Sequence, residues 1–185
     1  MNKVNFHLIL FMTTVVLLSS SIHAKANEFI NTVVEEQVKN IAFKKVGEAK
    51  FRVLFWDIYK SRLLTSNGTY SEKAPQLPVL FEIRYLRDIT SKDLIERTVE
   101  QWQHVGKKES EYSDFVQQLE ELWPNIKKGD QLSLLAGNNR SEFFHNGESI
   151  GVIESQEFGE LFLSIWLSEK TSQPKLRNQL LGKTS

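Results

Sequence analysis

From Ile41 to Leu86 the chain carries strand-type patterning with no helical stripe inside it, and two helical stripes then follow together before strand patterning returns at Leu132. This grouping constrains the fold more than any other feature. Neighbouring parallel strands need a crossover of a dozen or more residues, usually a helix, whereas antiparallel strands need only a turn. Runs of strands and pairs of helices, without βαβ alternation, therefore predict an α+β fold with a large antiparallel sheet covered on one face by a layer of helices.

The local signals set the expected elements. Ile41 to Leu64 is rich in β-formers and reads as two strands broken near Val46-Gly47. Phe51, Val53 and Phe55 alternate at period 2, and the slip at Trp56 to Ile58 predicts a bulge or a strand buried on both faces. Asn67-Gly68 is turn chemistry, Pro75 and Pro78 mark a loop, and Leu80 to Leu86 is the next strand. Thr90 and Asp93 have capping-box spacing at the start of a helix over Ser91 to His104, with Leu94, Ile95, Thr98, Val99 and Trp102 at helical spacing. A second stripe runs through Tyr112, Phe115, Val116, Leu119, Leu122 and Trp123, and Pro124 ends it. Lys128-Gly129-Asp130 turns the chain into a strand at Leu132, Leu134 and Ala136. Asn146-Gly147, between Phe143-Phe144 and Ile150 to Ile153, predicts a β-hairpin. Ser155 caps a third helix whose Phe158, Leu161, Phe162, Ile165 and Trp166 face the core, and Ser172 and Pro174 open a fourth that stops at Gly182.

The first 26 residues stand apart from this pattern. Lys3, the apolar run Leu8 to Leu18, and Ala24-Lys25-Ala26 have the order of a secretory signal peptide, with cleavage expected after Ala26 and a domain over 27–185. The apolar run is too short for a membrane span, which takes about 20 residues, and no later segment is long enough. A periplasmic or secreted protein is the expectation. With zero cysteines it can have neither disulfides nor a lipidated cysteine, so its fold rests on packing. The 23 basic residues balance the 23 acidic ones and form no basic stripe, which argues against a nucleic-acid partner.

Motif-level chemistry is missing. The chain contains no GxSxG, P-loop, GxGxxG or HExxH pattern, and after the leader only His104 and His145 remain, without metal-ligand spacing. No cofactor and no metal are expected. What remains is a polar set inserted into the aromatic strand region: Lys50, Arg52, Asp57, Tyr59, Lys60 and Arg62, then Arg84, Tyr85, Arg87 and Asp88. Cations and phenols beside apolar walls suit an acidic amphiphile, whose carboxylate they hold while its tail fills a hydrophobic slot. The same residues also suit the solvent face of a half-covered sheet, with Arg87 and Asp88 pairing or capping the next helix.

Three stretches resemble the chalcone isomerase-like family in its exported bacterial form: Gly47-Glu48-Ala49-Lys50 through Phe55-Trp56-Asp57-Ile58-Tyr59 to Leu63-Leu64, then Tyr85-Leu86-Arg87-Asp88-Ile89, and Phe158 to Leu167 with Leu176 to Gly182. Lys128-Gly129-Asp130 and Asn146-Gly147 fall between them in the expected order. The resemblance implies an open-faced β-sandwich, and it covers plant enzymes that close a flavanone ring as well as plastid proteins that bind fatty acids. The enzymes' Arg, Thr, Tyr and Asn positions fall near Lys50 (or Arg52), on Tyr59, on Tyr112 and on Leu119. Loss of the hydroxyl and the amide removes groups that orient a phenolate and stabilise an enolate. A basic residue with Tyr resembles the carboxylate-holding pair of the fatty-acid binders, although Lys50 supplies a point charge where Arg supplies a fork.

Three readings follow. In the first, the chain is a non-catalytic carrier or sensor of a fatty acid or similar acidic amphiphile, with Lys50, Arg52, Tyr59 and Tyr112 as ligand-binding residues and Phe55, Trp102, Phe115 and Trp166 as walls. The second is an isomerase or intramolecular lyase using Tyr59 or Tyr112 in acid/base work. The third is an envelope protein that acts by protein contact, its cleft filled by its own side chains.

Overall fold

The computed structural model describes residues 41–183, Lys73 and Gln76 excepted. The leader and the polar lead up to Asn40 lie outside the described residues. Among the described residues, all strands and helices fall within the compact unit that begins at Phe43.

Six strands form one sheet in sequence order: β1 Lys44–Val53, β2 Trp56–Thr65, β3 Val79–Tyr85, β4 Gln131–Ala136, β5 Ser141–His145 and β6 Glu148–Ile153. Every neighbouring pair is antiparallel. Four helices, α1 Ser91–His104, α2 Ser113–Leu122, α3 Phe158–Leu167 and α4 Pro174–Leu180, supply the covering layer. A short 3-10 turn at Glu109–Glu111 leads into α2. The α+β open-faced arrangement expected from the grouping of strand and helix signals is the one observed. Among the described residues no helix is long and apolar enough to cross a membrane.

The local signals explain most boundaries. The Thr90 hydroxyl accepts the Asp93 amide N–H at 3.1 Å and opens α1 at Ser91. The Ser155 hydroxyl accepts the Glu157 and Phe158 N–H groups ahead of α3. Asn146 and Gly147, both at positive φ, form the two-residue loop between the paired residues His145 and Glu148. The break in the first strand region is displaced from its expected place. The strand runs through Val46-Gly47, where a register shift occurs, and turns at Leu54-Phe55, between the partners Val53 and Trp56. Gly47 is required for another reason: a Cβ there would overlap the carbonyl oxygens of Gln179 and Leu180 at the end of α4.

The core fills the space between sheet and helices. Alternate residues of the central strands point into it, with Phe81, Leu134 and Phe143 almost fully buried. They meet Phe158, Phe162 and Leu167 of α3 and Trp102 and Leu119 of the first two helices. Rings pack edge to face, as Phe143 does against Phe162 at 5.5 Å. The Trp102 indole N–H donates to the Leu161 carbonyl at 3.0 Å and ties α1 to α3.

Candidate functional site

Packing between sheet and helices leaves a cavity of about 470 Å³ over β1 to β4, bounded by α1, the end of α2, α3 and the segment Thr171–Gln173. Its floor is the inward face of the sheet: Phe51 and Val53 from β1, Ile58 and Tyr59 from β2, Ile83 and Tyr85 from β3, Leu132 from β4. Register explains the selection. Phe51 pairs with Tyr59 and Tyr59 with Tyr85, so the three rings form one row across three strands. Phe51 stacks on Tyr59 at 5.1 Å, and Tyr59 meets Tyr85 edge-on at 6.1 Å.

Helices supply the roof. Leu94 and Thr98 of α1, Phe162, Ile165 and Trp166 of α3, and Trp123 after α2 line the other side. The mouth carries the exposed residues Val53, Asp93, Arg97 and Gln173. The Ser172 hydroxyl donates to Gln101 Oε1 at 2.6 Å, and the Thr171 hydroxyl to the Ile165 carbonyl at 2.7 Å, which fix the rim against α1 and α3.

Two phenols lining the interior, Tyr59 and Tyr85, are donors with spare capacity. The Trp166 indole N–H donates to the Tyr59 hydroxyl oxygen at 2.9 Å, so the Tyr59 O–H proton remains to be donated elsewhere. The Tyr85 hydroxyl makes no hydrogen bond among the described residues. The Trp123 Nε1–H is buried without a partner among the described residues. A buried polar group without a partner costs on the order of 1 to 3 kcal/mol, so such groups mark a place where a ligand or water supplies what the protein omits. Burial pushes the Tyr59 phenol up to about 12, with the Trp166 hydrogen bond opposing the rise only in part. Tyr85 is pushed up as well, by burial and then by the neighbouring Tyr59. Both phenols are neutral at ordinary pH and present O–H donors.

Of the sequence-predicted ligand residues, only Tyr59 lines the cavity. Lys50 and Arg52 project away from the cavity, where both contact Asp57: Lys50 Nζ lies 2.9 Å from Asp57 Oδ2, and Arg52 Nε bonds Oδ1. These contacts hold the Asp57 carboxyl below its usual range, the Arg52 hydrogen bond first and then that of Lys50. Tyr112 is buried elsewhere in the core, stacked on Trp102 at 5.3 Å, with Gln103 donating to its hydroxyl at 3.1 Å. Leu119 is fully buried. Tyr59 and Tyr112 thus do not share a cleft. The expected walls also need correction: Trp166 lines the cavity, whereas Trp102 is sealed in the core, Phe115 packs on Phe158, and Phe55 is 96% exposed at the β1–β2 turn.

Arg87 and Asp88 neither pair nor cap α1. Arg87 lies over the Trp56 ring at 4.1 Å, and Asp88 accepts the Lys128 amide at 2.8 Å. Trp123 and Arg97 line the cavity without a site signal in the sequence, and Tyr85 lines it although it stands in the polar stretch from Arg84 to Asp88. Tyr85 was recoverable, because it continues the alternation Val79, Phe81, Ile83.

The cavity exceeds the roughly 300 Å³ at which small-molecule sites begin, so the cleft is not filled by its own side chains. The structure is similar to that of a fatty-acid binding protein from Arabidopsis thaliana, with a TM-score of 0.57, 12% sequence identity, and coverage of 76% of this chain and 87% of that one. At that identity the likeness shows the fold. In sequence, the chain is 22% identical over 142 residues to an uncharacterized protein of Haemophilus influenzae, spanning 77% of this chain and 69% of the other. The sequence profile described as chalcone isomerase-like matches residues 35–182, nearly the whole of the sheet and its helical cover, and the chain belongs to the chalcone isomerase-like family.

Proposed function

We propose that this chain is an exported, non-catalytic binding protein for a fatty acid or a similar acidic amphiphile. The observation that carries the reading is the cavity: apolar walls, and interior phenols that are donors with capacity left over at Tyr59 and Tyr85. Carboxyl oxygens accept hydrogen bonds, and an acyl chain occupies the space between Ile83, Leu94, Phe162 and Ile165. The fatty-acid binding protein that shares the fold supports the ligand class. The signal-peptide pattern before Asn27 supports the exported location.

The charge needs a countercharge, because an ionised carboxylate without a cation is costly to bury. Arg97 at the mouth supplies it, in place of the Lys50 or Arg52 expected from sequence. Its guanidinium also contacts Glu100 at 2.6 Å, so an incoming carboxylate competes for a cation already engaged. Catalysis finds less support. The candidate acid/base residues Tyr59 and Tyr112 occupy separate places, and the pair of neutral phenols provides donors without a base.

Native mass spectrometry of the chain with a panel of saturated fatty acids tests the reading. The expected result is a one-to-one adduct with a chain-length optimum and a raised melting temperature. Absence of any adduct across the panel, with the melting temperature unmoved, rejects it.

A further inference from the structure

The turn joining β1 to β2 is built against both folding and solubility preferences. Two-residue hairpin loops favour Asn-Gly or Gly-containing pairs, because such turns place residues at positive φ. The β5–β6 hairpin follows that rule with Asn146-Gly147. The β1–β2 hairpin places Leu54 at φ 53°, a conformation that a branched, non-glycine side chain adopts reluctantly. Nothing in the packing repays this choice, since Leu54 is 85% exposed, Phe55 96% and Trp56 56%. Val53 beside them is also exposed. Isolated apolar residues on a surface are ordinary, but four in succession at a projecting tip mark a contact site.

We propose that this tip docks the protein onto an anionic lipid bilayer, Leu54, Phe55 and Trp56 entering the headgroup region while the adjoining cations meet lipid phosphates. Shape and charge select this occupant. A stable protein interface buries about 800 Å² on each side, more than a two-residue turn can present, whereas insertion into a headgroup layer needs only a small convex apolar tip. Tryptophan is at home at that boundary. Lys50, Arg52 and Arg87 flank the tip; Asp57 pairs with the first two, Asp88 is engaged by Lys127 and Lys128, and the Arg87 guanidinium lies over the Trp56 ring. Farther along the same face, Lys50 is paired across the sheet with Lys60, and Lys60 with Arg84. Like charges set opposite one another weaken a sheet, so a row of three is better explained by an anionic surface than by folding. Val53 belongs both to the tip and to the cavity mouth, so a docked tip holds that mouth against lipid. The docking goes beyond the binding role of the cavity and needs no ligand inside it.

The chain has no cysteine, so Phe55→Cys or, as a second position, Leu54→Cys can be labelled at one site with an environment-sensitive fluorophore, with Gly147→Cys on the other hairpin as control. The readout is local to the label, and the apolar stretch Leu8 to Leu18 is common to all variants. With vesicles of equal parts phosphatidylglycerol and phosphatidylcholine, the label at position 55 or 54 is expected to shift to the blue and to be quenched by lipid-borne nitroxide. The label at 147 stays in water, and added salt weakens the shift. Replacing Leu54, Phe55 and Trp56 together by serine is expected to lower the vesicle-bound fraction about tenfold at an unchanged melting temperature. A tip label that stays in water with these vesicles overturns the proposal. So does equal partition onto phosphatidylcholine alone, or a shift that appears without lipid and grows with protein concentration, which would assign the tip to a second copy of the chain.

Discussion

The two faces of strands β1 to β3 carry opposite chemistry on alternating residues. The inward face presents Phe51, Tyr59, Ile83 and Tyr85 to a cavity, with neutral donors and no charge among them. The outward face presents Lys50, Arg52, Asp57, Lys60 and Arg84 to water, with ion pairs at Asp57. Consecutive side chains in a strand point to opposite sides, so residues adjacent in sequence belong to different environments. A cation next to a phenol in the sequence is therefore poor grounds for a shared site.

The contrast is sharpest where a charge is moved from one face to the other. Ile83→Lys puts an ammonium beside Tyr85 and Leu132 with no partner, and is expected to lower stability by on the order of 3 kcal/mol, read from urea midpoints. Arg84→Ala, one residue along, is expected to leave the midpoint where it is. Equal losses at both positions would erase the distinction between the faces.

Alkaline titration probes the inward face through Tyr59. The Tyr59 pKa is near 12 in the folded chain, against the ordinary 10 once unfolded. Below pH 10 both states hold the proton and stability is level. Between about 10 and 12 the unfolded chain releases a proton that the folded chain retains, so stability falls as pH rises. The contribution is on the order of 2 kcal/mol by pH 12, and Tyr85 acts in the same direction. Tyr59→Phe should make the alkaline loss shallower in thermal scans; an unchanged pH profile would mean the phenol is not desolvated.

At neutral pH, Tyr59→Phe leaves the Trp166 indole N–H without its acceptor and is expected to cost about 1 to 2 kcal/mol, with weaker fatty-acid binding. Lys50→Ala and Arg52→Ala are expected to leave both melting temperature and fatty-acid affinity unchanged, since their contacts are exposed and face away from the cavity. A loss of affinity in either lysine or arginine variant would return the head group to the outward face.

Tyr85→Phe should change affinity more than stability. Its hydroxyl makes no hydrogen bond among the described residues, so stability should change by less than about 0.5 kcal/mol. Fatty-acid affinity, measured by calorimetry, should fall about five-fold if the hydroxyl donates to the ligand. No change in affinity would place the head group at the Arg97 mouth alone.

Where local chemistry decides the structure, the sequence was readable. Thr90 caps a helix, Ser155 bonds the backbone amides where another begins, Asn146-Gly147 turns a hairpin, and the grouping of strand signals sets an antiparallel sheet. The β1–β2 turn was hidden because Leu54-Phe55 has strand composition and no turn residue. Gly47 drew the break to itself, although it serves the close approach of α4. The site suffered from the same feature. Lys50 and Arg52 flank the inward Phe51, so alternation alone turns them outward, but the parity of Tyr59 depends on the turn and on a register shift between Phe51 and Arg52. Arg97 and Trp123 reach the cavity from α1 and the end of α2 through helix–sheet packing, for which no local pattern exists.

The central claim, an acyl chain held inside the cavity, is tested most directly by tryptophan quenching with a fatty acid brominated along its chain, in a Trp56→Phe background that removes the exposed tip ring. Trp123 and Trp166 line the cavity, whereas Trp102 is fully buried in the core away from it. The account predicts saturable quenching at one acid per chain, with a residual emission from Trp102. Identical emission with brominated and unbrominated acid would contradict it.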